Sequence, residues 1–77
     1  MNKQKLLEKV LAGSRTIRFA DFTLLVESFG FQLIRVRGSH HIYGHSAVRE
    51  ILNLQNVNGQ VKPYQMRQFL QLVEKYD

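Results

Sequence analysis

The sequence predicts an α+β domain, a three-stranded antiparallel sheet with helices packed on one face, in the order α-α-β-β-β-α. Three observations carry this reading. Phe22, Leu25, Val26 and Phe29, and again Phe69, Leu72, Val73 and Tyr76, fall at i, i+3, i+4, i+7, the spacing of an amphipathic helix. Between these stretches, β-branched and aromatic runs flank Gly38-Ser39, a pair suited to a two-residue hairpin turn with glycine at its first central position. Residues 49–55 then alternate Glu50, Leu52 and Leu54 with Arg49, Ile51 and Asn53, the period of a strand with one buried face.

In chain order, residues 2–12 read as a short helix with Leu6, Leu7, Val10 and Leu11 on one side and Gly13 as its stop signal. Residues 14–18 read as a polar connection, and Phe19 leads into a second helix at about 20–29, closed by Gly30. The hairpin strands follow, then a turn at 44–48, the third strand, and a polar loop at 56–60 around the turn dipeptide Asn58-Gly59. Pro63 opens the last helix, because a proline at the first helical position lacks only a hydrogen bond that would be missing anyway. The two matching apolar stripes pack most simply side by side on one sheet face, leaving the other in water. This layering is compatible with the double-stranded-RNA-binding-domain class, which grips RNA by shape and phosphate.

At 77 residues and 44% hydrophobic composition, one small domain over 1–77 is expected, near the size where a core supplies only about 3–5 kcal/mol of net stability. The absence of cysteine excludes disulfides and thiolate metal sites and points to an intracellular, cytoplasmic protein. No apolar run approaches the roughly 20 residues of a membrane span, and Lys3, Lys5, Glu8 and Lys9 leave no signal-peptide block, so a soluble, unprocessed chain without a membrane partner is expected. Net charge is +5, of which +4 lies between residues 14 and 67. Six of the seven cations there are arginine, which forks onto phosphate better than lysine does, so the balance points to a polyanion such as RNA.

Candidate functional residues gather in the hairpin, Arg35-Val36-Arg37-Gly38-Ser39-His40-His41-Ile42-Tyr43. Side chains alternate along a strand, so His40 and His41 point to opposite faces and Tyr43 shares the face of His41. If the loop is Gly38-Ser39 alone, Val36 faces His41 and Arg35 faces Ile42. If Arg37 joins the loop through a bulge, Arg35 faces His41. The second register is favoured, since it sets Arg35, His41 and Tyr43 together on the open face and leaves Ile34, Val36 and Ile42 for the core. His40 then reads as structural and His45 as an exposed turn residue. Adjacent histidines diverge and no carboxylate cluster accompanies them, so neither a metal nor another cofactor is expected.

These residues also carry a resemblance. Gly30-Phe31, Arg35 and Gly38-Ser39-His40-His41-Ile42-Tyr43, followed by a third strand and a final helix, resemble the HicA family of mRNA interferase toxins over residues 19–76. The Lys62-Pro63-Tyr64-Gln65 opening of the last helix and the added helix at 1–13 are similar to a longer branch of that family. The resemblance implies a toxin with a double-stranded-RNA-binding-domain-like fold that cleaves mRNA and is held inactive by a HicB antitoxin, with His41 as the functional histidine. Many short members carry Pro-x-His in the third strand, where this chain has Leu54-Gln55-Asn56.

The chemistry such a site must perform is modest. RNA carries its own nucleophile, the 2′-hydroxyl, so a protein need only take that proton, hold the phosphate in line and stabilise developing charge. One histidine serves as proton carrier. Arg35 and Arg37, with Gly38, Ser39, Tyr43, Lys62 and Arg67, are the expected RNA-binding residues.

Overall fold

The computed structural model describes residues 3–13 and 17–76, and within them the chain runs α1 (Lys3–Leu11), β1 (Ile17–Arg18), α2 (Phe19–Ser28), β2 (Gln32–Arg37), β3 (His40–His45), β4 (Val48–Gln55), β5 (Gln60–Val61) and α3 (Pro63–Tyr76). The antiparallel sheet has the order β2-β3-β4 and carries its helices on one face. The α+β, double-stranded-RNA-binding-domain-like architecture expected from the sequence is therefore present, with one addition. β1 and β5 form a separate two-stranded sheet, Ile17 opposite Val61 and Arg18 opposite Gln60.

That small sheet corrects the reading of Ile17 and Arg18 as polar connection. Residues 14–16 lie outside the described residues, but Ile17, taken as part of a polar connection, is only 2% exposed, and Val61 beside it is equally buried. Strands of two residues carry no periodicity from which they could be read. The Asn58-Gly59 turn, both residues at positive φ, closes the Val57–Gln60 bridge at the entry to β5 and is held by Asn56 Oδ1 accepting the Gly59 N–H (2.7 Å).

The helices meet as their stripes require. Phe69, fully buried at the centre of α3, packs edge-on against Phe22 (5.5 Å between centroids) and Phe29 (5.3 Å) of the α2 region and tilts against Phe31 (6.0 Å) at the entry to β2. Edge-to-face aromatic pairs contribute about 0.5–1.5 kcal/mol each beyond the area they bury. In α1, Val10 reaches the core and Leu7 packs against it, whereas Leu11, expected on the same side, is 65% exposed. The expected helical position Asn2 and the side chain of Leu6 fall outside the described residues.

α2 ends as predicted. Gly30 sits at φ +95° and donates to the carbonyl of Glu27 (3.0 Å), a backbone conformation that a side chain would strain. A Cβ there would also lie 2.7 Å from Nε2 of His45. His45 is not the exposed turn residue read from the sequence. It ends β3, half-buried, donating from Nε2 to the carbonyl of Phe29 (3.0 Å) and accepting the Ala47 N–H at Nδ1 (3.0 Å), so it ties the end of α2 to the β3–β4 turn.

The last turn of α3 is fastened to the start of β4. Lys75 Nζ donates to Glu50 (2.6 Å), the Tyr76 hydroxyl donates to its other carboxylate oxygen, and the Arg49 N–H donates to the Tyr76 hydroxyl (3.4 Å). These bonds, Lys75 first and then Tyr76, hold the Glu50 carboxyl down to about 2. A depressed carboxylate contributes stability that is present above its ordinary range, near 4.5, and is lost as pH falls toward 2.

Two outcomes follow from these contacts. Phe69→Ala should cost about 3–5 kcal/mol, comparable to the whole stability of a core this size, and leave the chain unfolded by circular dichroism, while Phe69→Leu should fold with a lowered melting temperature. Glu50→Gln should lower the melting temperature at pH 7 and show less further loss than the parent between pH 5 and 2 in thermal melts; parallel acid curves for the two proteins would contradict the assignment.

Candidate active site at the hairpin tip

The β2–β3 hairpin closes over Gly38-Ser39 alone. Arg37 pairs with His40, Val36 with His41 and Arg35 with Ile42, and Gly38 takes the positive φ (+59°) that such a turn needs at its first position. The favoured register, with Arg37 in the loop, is thus overturned. An irregularity does exist, but it lies farther along, between Leu33 and Arg35, where Ile34 bulges over Gly44.

This register exchanges the expected faces. Leu54 opposite His41 and Leu52 opposite Tyr43 are both buried beneath the helices, so His41 and Tyr43 lie on the helix side. The assignment of Arg35, His41 and Tyr43 to one open face is therefore corrected. Tyr43 is only 3% exposed, and burial, with Glu27 nearby, pushes its hydroxyl above the ordinary range. The physical reason is area: filling the core with the Tyr43 ring removes more apolar surface from water than filling it with Ile42.

His41 sits where the hairpin tip meets the start of α2. Its ring packs on Phe19, 4.7 Å between centroids, and is half-buried. Nδ1 faces the carbonyl of Ser39 at 3.3 Å. A carbonyl only accepts, so in the neutral ring Nδ1 carries the hydrogen and Nε2 presents its lone pair. No described residue hydrogen-bonds Nε2. Ser39 is itself fixed: its carbonyl also accepts the Asn56 N–H (2.9 Å) and its hydroxyl accepts from Gln55 Nε2 (3.4 Å). Phe19 is held by its own N–H donating to the carbonyl of Gly59 (2.8 Å).

On the other side of the sheet lie Arg35, Arg37 and His40, all exposed. His40 is hydrogen-bonded, donating from Nδ1 to Oδ1 of Asn53 (3.1 Å), but it is exposed, so it is the solvent-facing member of the pair rather than one seated beneath the sheet. Among the described residues no carboxylate pairs with Arg35 or Arg37, whereas Arg18 is engaged by Asp21 at 3.0 Å. Lys62 joins β5 to α3 on the chain that follows the turn docked on Phe19. Arg67 borders the groove of Leu7, Leu11 and Leu70 between α1 and α3, and is not brought to the hairpin. Among the described residues no three His, Asp or Glu side chains gather as metal ligands, and no helix is long and apolar enough to cross a membrane.

The sequence reading missed three supporting residues. Phe19 gave no signal beyond preceding a helix, and Asn53 read only as an outward strand position. Gln65 did carry one. It stands four residues before Phe69, a polar side chain on the apolar stripe, and is 3% exposed, with Oε1 accepting the Gln55 N–H (3.1 Å) and Nε2 donating to the Asn53 carbonyl (3.4 Å). It thereby anchors the strand end that holds Ser39.

No curated protein and no solved structure matches the chain. The model of a family described as HicA toxin of bacterial toxin-antitoxin matches residues 19–74, from the first residue of α2 into the last turn of α3, with both hairpin strands and His41 inside the match. Because that match spans well over half of the sequence, the chain belongs to the HicA family of toxins, which work in bacterial toxin–antitoxin pairs.

Proposed function

We propose that this toxin is a metal-independent endoribonuclease that cleaves mRNA in the cytoplasm, with His41 as its catalytic base. The observation that carries the reading is the orientation of one ring: Nδ1 of His41 directed at the fixed carbonyl of Ser39, with Nε2 left as an available lone pair at the hairpin tip. A base needs a defined tautomer and a partner that orients it. In the reaction, Nε2 takes the proton of the 2′-hydroxyl, the 2′-oxygen bonds to the adjacent phosphorus, and the bond to the 5′-oxygen breaks as that oxygen takes a proton from solvent water. The products are a 2′,3′-cyclic phosphate and a 5′-hydroxyl.

The strand is read as crossing the tip at Gly38-Ser39, where no described residue beyond its chain neighbours lies within 4 Å of the place a Gly38 side chain would fill. Arg37 and Arg35 hold neighbouring phosphates from the open face, and Lys62 adds charge beyond Phe19. Tyr43 and Arg67 leave this proposed set, the first because it is buried and the second because it borders another groove. The addition of α1, outside the family match, is read as the mark of a longer branch.

A second reading, a non-catalytic RNA-binding module, is favoured by one observation: the free arginines and His41 occupy opposite faces of the sheet. Cleavage assays separate the two. His41→Gln should reduce cleavage at least about 100-fold, within the range that general acid–base catalysis supplies, with a modest fall in melting temperature from the lost contact with Phe19 and with RNA binding retained. His40→Gln should melt like the parent and keep most of its activity. RNA with 2′-deoxyribose at the cleavage position should bind and survive. Undiminished cleavage by His41→Gln would end the catalytic assignment, and cleavage of the deoxy substrate would end the cyclic-phosphate route.

Binding has its own signature. Phosphate contacts release counterions, so affinity for RNA should fall steeply with salt, and Arg35→Glu or Arg37→Glu should weaken binding to all sequences alike and flatten the salt dependence. Titrations at several salt concentrations that give one affinity would contradict the polyanion reading.

A further inference from the structure

The two edges of the sheet are treated differently. Along β4, α3 satisfies the backbone: the Arg49 N–H donates to Tyr76, the Gln55 N–H donates to Gln65, and the Asn53 carbonyl accepts from Gln65. Nothing comparable covers β2 among the described residues, and all six of its residues are exposed. Three are large and apolar, Leu33 (46% exposed), Ile34 (58%) and Val36 (51%), and they lie on both sides of the strand. An edge strand that is apolar on both faces is a template for another strand. In a hairpin closed by the pair Arg37–His40, hydrogen bonds to β3 alternate, so the N–H and C=O of Val36 point away from β3.

We infer that β2 is the seat of the antitoxin, which adds an extended segment of alternating acidic and apolar residues along the Val36 edge as a fourth strand. The alternation follows from the register. Residues of an added strand beside Arg35 and Arg37 share the open face and meet two guanidinium groups that no described carboxylate engages, while the residue between them meets Val36 on the helix side. The same arginines exclude a second copy of this chain. Antiparallel self-pairing centred on Val36 sets Arg35 opposite Arg37 of the other copy, like charge against like charge, on a protein of net charge +5. The edge is thus closed to itself and open to an acidic partner. The inference rests on membership of a toxin–antitoxin family and not on the RNA chemistry, although a strand seated there also occupies the arginines proposed for phosphate.

The test uses the toxin with its antitoxin and no RNA, so its result does not depend on catalysis. In the complex, the Val36 amide should exchange with solvent more slowly than in the free toxin. Val36→Pro removes an N–H that β3 does not use, and should leave the melt of the free toxin near that of the parent while weakening the complex at least about tenfold, the effect of one lost backbone hydrogen bond and the clash that replaces it. A synthetic strand alternating glutamate and valine should bind the free toxin and slow the Val36 amide, and the same peptide with lysine for glutamate should not. Unchanged exchange at Val36 in the complex would overturn the inference, as would a folded Val36→Pro toxin that binds its antitoxin undiminished, or dimerisation of the free toxin through β2. Should Val36→Pro fail to fold, exchange in the parent complex decides.

Discussion

The pairing of Arg37 with His40 determines what every other residue of the hairpin can do. With only Gly38-Ser39 between them, the strands have one register, and a strand's period of two converts that register into an assignment of faces. Tyr43 and His41 go to the helices, and Arg35, Arg37 and His40 go to water. A single additional loop residue would slide β2 by one position and set Arg35 in place of Val36 opposite His41. The faces of β3 are fixed from its other side, because Leu52 and Leu54, directly across from Tyr43 and His41, are buried.

Given that register, the aromatic cluster around Phe69 sets where the helices lie. It draws α2 and α3 together over the sheet and leaves the first residue of α2, Phe19, at the hairpin tip. His41 therefore finds an aromatic wall on one side and the Ser39 carbonyl on the other. That carbonyl is fixed in turn by Asn56 at the end of β4, whose position depends on the buried Gln65. The ring is oriented by a chain of contacts that runs back to the core, and the proton-transfer role proposed for it requires such a fixed geometry.

The division of faces gives the molecule two distinct surfaces at one end. The open face is basic, with arginines that no carboxylate engages among the described residues, whereas Arg18 of β1 and Lys75 of α3 are tied to Asp21 and Glu50. The tip carries the imidazole of His41, oriented by Ser39. Between the two runs the uncovered edge of β2, so a ligand that engages the arginines is already beside the histidine.

The amino-acid sequence by itself determined the architecture, because that depends on periodicities written into consecutive residues: the two i, i+3, i+4, i+7 stripes, the alternation of β4, glycine after α2 and proline at the start of α3. It also determined that His40 and His41 diverge, and it marked the hairpin as the basic, histidine-bearing segment that the family match contains. Which histidine faces the helices was not legible there, since Arg35, Val36, Ile42 and Tyr43 offer apolar residues to either face and a shift of one position satisfies both patterns locally. Only packing across the strands resolved it, through Leu52 and Leu54. The β1–β5 pair, the seat of His41 on Phe19, and the capping of β4 by Gln65 likewise join residues far apart in the chain, and no local pattern encodes a contact whose energy arises only when the core closes.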